Sequence, residues 1–345
     1  MRAARLHAVG DLRLADEPEP VPEPGSSLVR VTAVGICGSD LHWWGEAGIG
    51  DARLDAPLVL GHEAAGVIAA GPRRGERVAI DPAIPCGACR PCRSGYRNLC
   101  VQIRFAGHGG TDGAMREFLT WPDELLHPLP DTLSDADGAV LEPLGVALHA
   151  LDLGHVRFGA VVAVAGLGPI GLLLVQVLRA AGASMVAGFD PLPHRREAAL
   201  RLGADLAVAP ADGAAGAGAG GWADGPAGGA IGGDGADVVF EMAGTSDAVE
   251  LAMALARPGG RVVLGGIPGD DRTSFRASTA RRKGLTIAMV RRMNEAYPRA
   301  ISAAASGRAD LAAVVTARFP LAKAPEAFTT AAQRTGLKVI VEPGA

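Results

Sequence analysis

The chain has 345 residues, of which 48% are hydrophobic and 20% charged, and its formal net charge is −4. This length suits two domains better than a single core, and the composition excludes a disordered chain. The small negative charge gives no electrostatic reason to expect a nucleic-acid partner.

The first part of the chain, to about Leu144, has the pattern of short β segments between turns. Leu28–Val34 alternates in polarity and is rich in β-branched residues, and Arg77–Ile84 is an apolar run that ends among prolines. We therefore expect an irregular β-rich domain here rather than a helical one.

A helix is predicted to begin near Ser134, where the pattern changes. Ser134 followed by Asp137 fits a variant of the capping box. Apolar residues then recur at helical spacing, at Val140, Leu144, Ala147 and Leu151. This helix is a candidate for the connection between two domains.

From Ala160 onward, predicted strands alternate with helices. The helices are expected over 170–181, 195–202 and 248–256, each preceded by an apolar strand. This alternation predicts an α/β fold with a parallel, doubly wound sheet. After about Arg292, helices over 295–305 and 322–334 and two further strands are expected to complete the first domain.

One apolar segment has a second interpretation, as a membrane span. Residues 160–177 carry no charge and are long enough to cross a bilayer, but Gly166–Gly171 interrupts the run and favours strand, turn and buried helix. The first nine residues carry two arginines and no apolar h-region, so we expect no secretory signal and a cytoplasmic protein without membrane contact. Residues 211–235, almost entirely Gly and Ala, are interpreted as a flexible surface loop.

A catalytic zinc site is the strongest chemical prediction. Cys37, in GICGSDLHWW, and His62, in GHE, are the ligand types that zinc uses when one coordination position stays open to substrate. The carboxylate is either Glu63 or Glu142, and the pattern does not choose between them. A buried cysteine and a structural histidine are the alternative interpretations.

The residues around Cys37 suggest how this site handles protons. Asp40 is placed to accept a hydrogen bond from the ligating His62 and to fix its tautomer. Ser39 and His42 are the predicted proton-transfer pair, because the alcohol must lose its proton before the hydride leaves. The alternative is a polar turn without a catalytic role.

A second metal site is predicted from four clustered cysteines. Cys86, Cys89, Cys92 and Cys100 fall in one short window, where a loop can wrap four thiolates around a structural zinc. An iron–sulfur cluster is the competing interpretation, but the spacing between Cys92 and Cys100 departs from ferredoxin patterns.

A dinucleotide site is predicted at Gly166, Gly168 and Gly171, between an apolar strand and a helix. Asp190 ends the next strand, where an acid binds the ribose hydroxyls and disfavours a 2′-phosphate. Arg195 could partly accommodate that phosphate. NAD is thus the expected cofactor, with NADP the alternative.

Over nearly its full length the chain resembles the zinc-containing medium-chain dehydrogenases, and most closely their sorbitol (L-iditol) and L-idonate dehydrogenase branch. The resemblance lies in GICGSDLHWW, APLVLGHEAAGV, PCGACRPCRSGYRNLC, LEPLGVALHA and GLGPIG. It implies a GroES-like catalytic domain over 1–146 and 291–345 and a Rossmann domain over 147–290. It also implies a homo-oligomer, a tetramer before a dimer.

The same resemblance implies further site residues. Those expected to contact the cofactor are Ile170, Asp190, Arg195, Gly265, Gly266, Ile267 and Val290. Trp43, Arg291 and Arg292 are expected to face the substrate. Trp43 and Arg292 stand where animal sorbitol dehydrogenases have tyrosines, and the added arginine would suit a carboxylate such as that of idonate.

These observations predict a zinc-dependent oxidoreductase that transfers a hydride from a secondary alcohol of a polyol or sugar acid to NAD. A threonine- or simple-alcohol-specific dehydrogenase is the alternative within enzymes. A catalytically silent, crystallin-like or interaction protein is the alternative outside them, against which the retained set of Cys37, His62 and Glu63 argues.

Overall fold

The computed structural model describes residues 1–210, 231 and 233–344. Most of the glycine- and alanine-rich stretch predicted to be a loop, residues 211–230 and 232, lies outside the described residues. The described strands are β1 Arg2–Ala8, β2 Asp11–Asp16, β3 Ser26–Gly35, β4 Gly48–Ile49, β5 Ala52–Arg53, β6 Leu58–Val59, β7 Glu63–Ala70, β8 Arg77–Ile80, β9 Ala83–Ile84, β10 Arg104–Phe105, β11 Phe118–Pro122, β12 Leu126–Pro128, β13 Val161–Ala165, β14 Met185–Phe189, β15 Leu206–Val208, β16 Ala236–Glu241, β17 Ala256–Leu264, β18 Thr286–Met289, β19 Val315–Pro320 and β20 Lys338–Glu342.

The described α-helices are α1 Gly38–Glu46, α2 Arg90–Arg93, α3 Asp135–Gly154, α4 Pro169–Ala180, α5 Pro193–Arg201, α6 Ser246–Leu255, α7 Ala277–Lys283, α8 Tyr297–Ala305 and α9 Ala324–Ala332. The predicted capping box is confirmed at the start of α3. The Ser134 hydroxyl accepts a hydrogen bond from the backbone N–H of Asp137, and the Asp137 carboxylate accepts one from the backbone N–H of Ser134. Among the described residues, none of the helices has both the length and the apolar character required to traverse a bilayer.

The chain forms two units, the first of Met1–Gly145 with Met293–Ala345 and the second of Val146–Arg292. The first unit is built on a seven-stranded sheet in which β12, β8, β7, β3, β20 and β19 follow one another and β11 also pairs with β3. Its core combines residues of this sheet with residues of β1, β6, α1 and α9. The central strands β3, β7, β8 and β20 are buried along most of their length, whereas β11 and β19 alternate between more and less buried residues.

Two helices of the first unit, α1 and the short α2, were not predicted. The stretch after Cys37 forms α1, whereas the sequence suggested β segments and turns throughout this region. Asp40 explains the difference, because its carboxylate accepts a hydrogen bond from the backbone N–H of Cys37 and closes the first helical turn.

The second unit contains a six-stranded parallel sheet in the order β15-β14-β13-β16-β17-β18. The predicted α/β class with a doubly wound sheet is therefore confirmed. Strand β13 lies in the middle of this order. Strands β14 and β15 extend the sheet on one side of it, and β16, β17 and β18 extend it on the other. Ligands of such sheets bind at the carboxyl ends of the strands at this switch point.

Candidate active site

The residues around Cys37 and His62 form one cluster, in which His62 and Glu63 are buried and Cys37 is partly exposed. Sγ of Cys37, a ring nitrogen of His62 and a carboxylate oxygen of Glu63 all lie within 4.8 Å of one another. Two elements position them: Cys37 immediately precedes α1, His62 immediately precedes β7, and Glu63 begins β7. A thiolate, an imidazole and a carboxylate at this separation fit the donor set and spacing of a zinc site.

The buried carboxylate of Asp40 holds this cluster together. One of its oxygens accepts a hydrogen bond from the backbone N–H of Cys37. The other accepts one from Gly61 and lies 3.4 Å from Nδ1 of His62. Burial opposes ionisation, but His62 and these hydrogen bonds keep the pKa of Asp40 below its usual value. With Nδ1 facing Asp40, Nε2 is the nitrogen of His62 directed toward a metal.

Glu63 and Glu142, the two alternative carboxylate ligands, have different surroundings. Glu63 is fully buried, and both of its oxygens accept hydrogen bonds from Nζ of Lys338 at 2.7 Å. Glu142, on α3, is also buried, and burial raises its pKa to about 7, against the attraction of His62. Glu63, but not Glu142, belongs to the compact donor group with Cys37 and His62.

The predicted proton-transfer pair is not directly hydrogen-bonded among the described contacts. The Ser39 hydroxyl lies 3.4 Å from Nε2 of His62, at the metal-facing side of the ring. His42 instead has Nδ1 at 3.1 Å from the carboxylate of Glu46, one helical turn further along α1. The pair therefore stays a prediction in which His42 connects to solvent through Glu46.

Trp43, predicted to face the substrate, is only 2% exposed and belongs to the core of the first unit. Its ring packs edge-on against His108 at 5.3 Å between centroids. This environment gives Trp43 a packing role, and any contact with substrate stays a prediction.

The four clustered cysteines form a second donor group. The sulfur atoms of Cys86, Cys89, Cys92 and Cys100 all lie within 4.8 Å of one another, and all four are free thiols. Backbone N–H groups of Cys92 and Val101 lower the pKa of Cys89 to about 6. Four sulfurs leave no position for a substrate, so this group fits a closed structural zinc site.

The glycines of the second unit surround the start of α4. Gly166 has a φ of 99°, and a Cβ there would lie 2.7 Å from the backbone nitrogen of Ala243. A Cβ at Gly171 would collide with the carbonyl oxygen of Gly166. Gly168 caps α4, and Ile170 lies in its first turn. Only glycine allows this tight strand-to-helix turn, whose open N-terminus suits a pyrophosphate.

Asp190 lies at the end of β14, beside this turn. Its side chain is 3% exposed, and its two oxygens accept hydrogen bonds from the backbone N–H groups of Leu167 and Leu192. Nη1 of Arg195 lies 3.6 Å from the carboxylate. The carboxylate is thus fixed against the glycine turn, where a ribose would meet it.

The remaining predicted cofactor residues lie at the carboxyl ends of the next two strands. Gly265, Gly266 and Ile267 follow β17, and a Cβ at Gly265 would lie 2.7 Å from Sδ of Met242. Val290 follows β18, and its backbone N–H donates to Leu264. Beyond it, Arg291 is exposed, and Arg292 has a φ of 56°. The predicted cofactor residues of this unit thus all lie at the end of the sheet formed by the carboxyl termini of its strands.

Two residues of the metal cluster were not identified from the sequence. Lys338 is buried and paired with Glu63, and a Cβ at Gly35 would collide with Glu63 Oε2. A lysine that opens the otherwise apolar strand LKVIVE was the available signal, since a lysine is seldom fully buried without a partner.

Comparison with known proteins agrees with this geometry. The profile of the "Alcohol dehydrogenase GroES-like domain" matches residues 23–131, and that of "Zinc-binding dehydrogenase" matches residues 169–306. Probable D-xylulose reductase A of Arthroderma otae is 36% identical over 344 residues, which cover 97% of this chain and 95% of that protein. Sorbitol dehydrogenase of Macaca fascicularis is 36% identical over 348 residues, with 98% and 94% covered.

A solved structure extends the likeness to three dimensions. A protein described as a zinc-binding dehydrogenase from Sinorhizobium meliloti 1021, bound to NADP, superposes with a TM-score of 0.88 at 32% identity, covering 99% of each chain. The GroES-like domain expected from the resemblance is confirmed by the first profile. The chain therefore belongs to the zinc-binding medium-chain dehydrogenases and, within them, to the sorbitol dehydrogenase-like branch.

Proposed function

We propose that this enzyme oxidises a secondary hydroxyl of a polyol to a ketone, with NAD as hydride acceptor. The observation that carries the proposal is the compact donor group of Cys37, His62 and Glu63. The relatives named for sorbitol and D-xylulose support a polyol and its ketose as the substrate pair. The hydride goes to the nicotinamide and the hydroxyl proton to solvent, so the products are ketone, NADH and a proton.

Each residue has a defined part in this proposal. Cys37 and His62 hold the zinc, with Glu63 as the third ligand and Glu142 beside it. When bound, zinc makes the substrate hydroxyl more acidic. Asp40 keeps Nε2 of His62 turned toward the metal. The Ser39 hydroxyl accepts the released proton while giving up its own, and His42, paired with Glu46 on the exposed side of α1, delivers a proton to solvent.

For the cofactor, NAD is proposed over NADP. The carboxylate of Asp190 supports this choice, because its charge stands where a 2′-phosphate would lie and would repel it. Arg195 is the group that could weaken this discrimination, and the Sinorhizobium relative contains NADP. Fluorescence titrations with NADH and NADPH test the choice directly, and equal affinities would contradict it.

A sugar acid is the second candidate substrate. It is favoured by Arg291 and Arg292, which follow the end of β18 where the resemblance places substrate contacts. A panel of sorbitol, xylitol, L-iditol, L-idonate, L-threonine and 2-propanol, followed by NADH absorbance, separates the candidates. The proposal expects the highest kcat/KM on a polyol or aldonate. Activity confined to threonine or 2-propanol, or absent throughout, would contradict it.

We further propose a cytoplasmic homo-oligomer, with a tetramer as the favoured state. The five cysteines are all free thiols, which suits a reducing compartment. Within the described residues, β18 pairs only with β17, and Ile287 and Met289 on it are 37% and 63% exposed. Such an edge strand can pair with that of a second copy. Light scattering of the purified protein tests the state, and a monomer would contradict it.

A further inference from the structure

Lys338 is a buried lysine that donates hydrogen bonds to Glu63 of the metal cluster and to the backbone next to Cys37. Its side chain is 3% exposed. Nζ donates to both oxygens of Glu63 at 2.7 Å and to the carbonyl oxygen of Ile36 at 3.0 Å. An ammonium has three donors, so these contacts satisfy all of them.

The strand register explains how Lys338 reaches Glu63. Strand β3 lies between β20 and β7, and Gly35 pairs with Ile340 on one side and with Glu63 on the other. Lys338 lies two residues before Ile340, so its side chain emerges on the same face of the sheet. Because Gly35 has no side chain, the Glu63 carboxylate can lie over it, and a Cβ there would collide with Glu63 Oε2.

We propose that Lys338 is a positioning residue, which fixes the orientation of the Glu63 carboxylate toward the metal held by Cys37 and His62. The inference rests on the zinc site of the proposed function. A carboxylate that is paired with a fixed ammonium keeps one rotamer. Without that partner, the carboxylate can adopt several rotamers in the same pocket. Partners of this kind orient metal ligands and tune their affinity.

The Lys338–Glu63 ion pair is placed to act on the metal site and not only on the stability of the fold. A buried ion pair is weak evidence for a stabilising role, because desolvation of both groups offsets their attraction. Here the pair is placed beside Cys37 and His62, in a unit whose sheet already has an extensive apolar core. Its position is therefore better explained by the orientation of Glu63.

The experiment measures zinc affinity at the Cys37 site, by competition with a chromophoric chelator, and the absorption spectrum of the cobalt-substituted protein. The Cys37→Ser protein supplies the background from the four-cysteine site. The variants are Lys338→Met, Lys338→Arg, Glu63→Gln and the double variant Glu63→Gln/Lys338→Met. Lys283→Met is the matched control, because Lys283 is a partly buried lysine of the second unit that donates to the carbonyl groups of Met253, Ala254 and Ala256.

The proposal expects Lys338→Met to weaken zinc binding by about tenfold or more and to change the cobalt spectrum. Lys338→Arg should restore much of both, and Lys283→Met should change neither. Because Lys338 acts through Glu63, the double variant should bind zinc no more weakly than Glu63→Gln. If Lys338→Met does not fold, Gly35→Ala, which displaces the same carboxylate, should reproduce the spectral change in its place.

Three results would overturn the inference. The first is a lower Tm of Lys338→Met with unchanged zinc affinity and cobalt spectrum, which would assign the pair a purely structural role. The second is full additivity of the Lys338 and Glu63 effects. The third is a wild-type protein that binds no metal at Cys37, which would also remove the proposed function. In the first two cases the proposed function stands, and only the role of Lys338 falls.

Discussion

Asp40 connects the two ends of the metal cluster: one oxygen of its carboxylate accepts the backbone N–H of Cys37, and the other lies 3.4 Å from Nδ1 of His62. The same side chain therefore starts helix α1 and orients a metal ligand. Local structure and site chemistry depend on one buried charge.

Replacement of Asp40 by Asn should weaken zinc binding at this site by about 10- to 100-fold. The amide oxygen can still accept from one backbone N–H, but an amide has only one oxygen where Asp40 has two acceptors. Chelator competition on the purified variant measures the change. Asp205→Asn, at an exposed ion pair with Arg179 in the second unit, is the control and should leave zinc affinity unchanged.

Replacement of Cys37 by Ser should reduce turnover by roughly three orders of magnitude, because the metal supplies several kcal/mol of transition-state stabilisation. NADH binding should remain close to that of the wild type, because the glycine turn and Asp190 lie in the second unit. Steady-state kinetics and NADH fluorescence check the two halves of this prediction. Unchanged turnover would rule out Cys37 as a ligand.

Replacement of Asp190 by Asn should weaken NADH binding by about 10- to 100-fold, the effect expected for loss of a hydrogen bond to a charged group. NADPH binding should suffer less, because the repulsive charge is removed at the same time. Titrations with NADH and NADPH give the ratio of the two dissociation constants. A ratio that does not move toward NADPH would show that Asp190 does not set the preference.

Loss of the four-sulfur site should reduce stability without direct loss of the catalytic metal. Cys89→Ser should bind one zinc fewer per chain, because Cys89 contacts both Cys92 and Cys100. We expect Tm to fall by roughly 10 °C, which corresponds to a loss of a few kcal/mol in the free energy of unfolding for a domain of this size. Metal analysis and thermal unfolding test this. An unchanged metal content would exclude the site.

Asp81 should make stability fall as pH rises. Burial raises the pKa of its carboxyl from 3.8 to about 6. Between about pH 4 and pH 6 the folded state therefore binds more protons than the unfolded state. The destabilisation that comes from ionising the buried Asp81 carboxyl is absent at pH 4 and fully present above pH 6. It amounts to at most about 3 kcal/mol.

Asp81→Asn should accordingly raise Tm by several degrees at pH 7.5 and by much less at pH 4. Its side-chain oxygen can keep the hydrogen bond from the backbone N–H of Ala83. Asp131→Asn, at an exposed position, serves as the control and should have little effect at either pH. An equal gain for Asp81→Asn at both pH values would contradict the assignment.

The sequence predicted most of the second unit, because strand and helix periods alternate there with clear turn residues, but it missed α7 and β18. Helix α4 was expected over 170–181 and is found over Pro169–Ala180. Helix α1 was missed because an Asp40 side chain, rather than a hydrophobic period, begins it. Lys338 and Gly35 were missed because their contact with Glu63 depends on the order of β20, β3 and β7, which no local pattern contains.

The most direct test of the account is reconstitution of the catalytic metal. Protein depleted of zinc at the Cys37 site, with the four-cysteine site still loaded, is titrated with zinc while NADH production from a polyol is followed. We expect turnover to be absent at first and to rise in proportion to occupancy, up to one equivalent. Full turnover before any zinc is added would contradict the central claim that a metal held by Cys37 and His62 activates the hydroxyl.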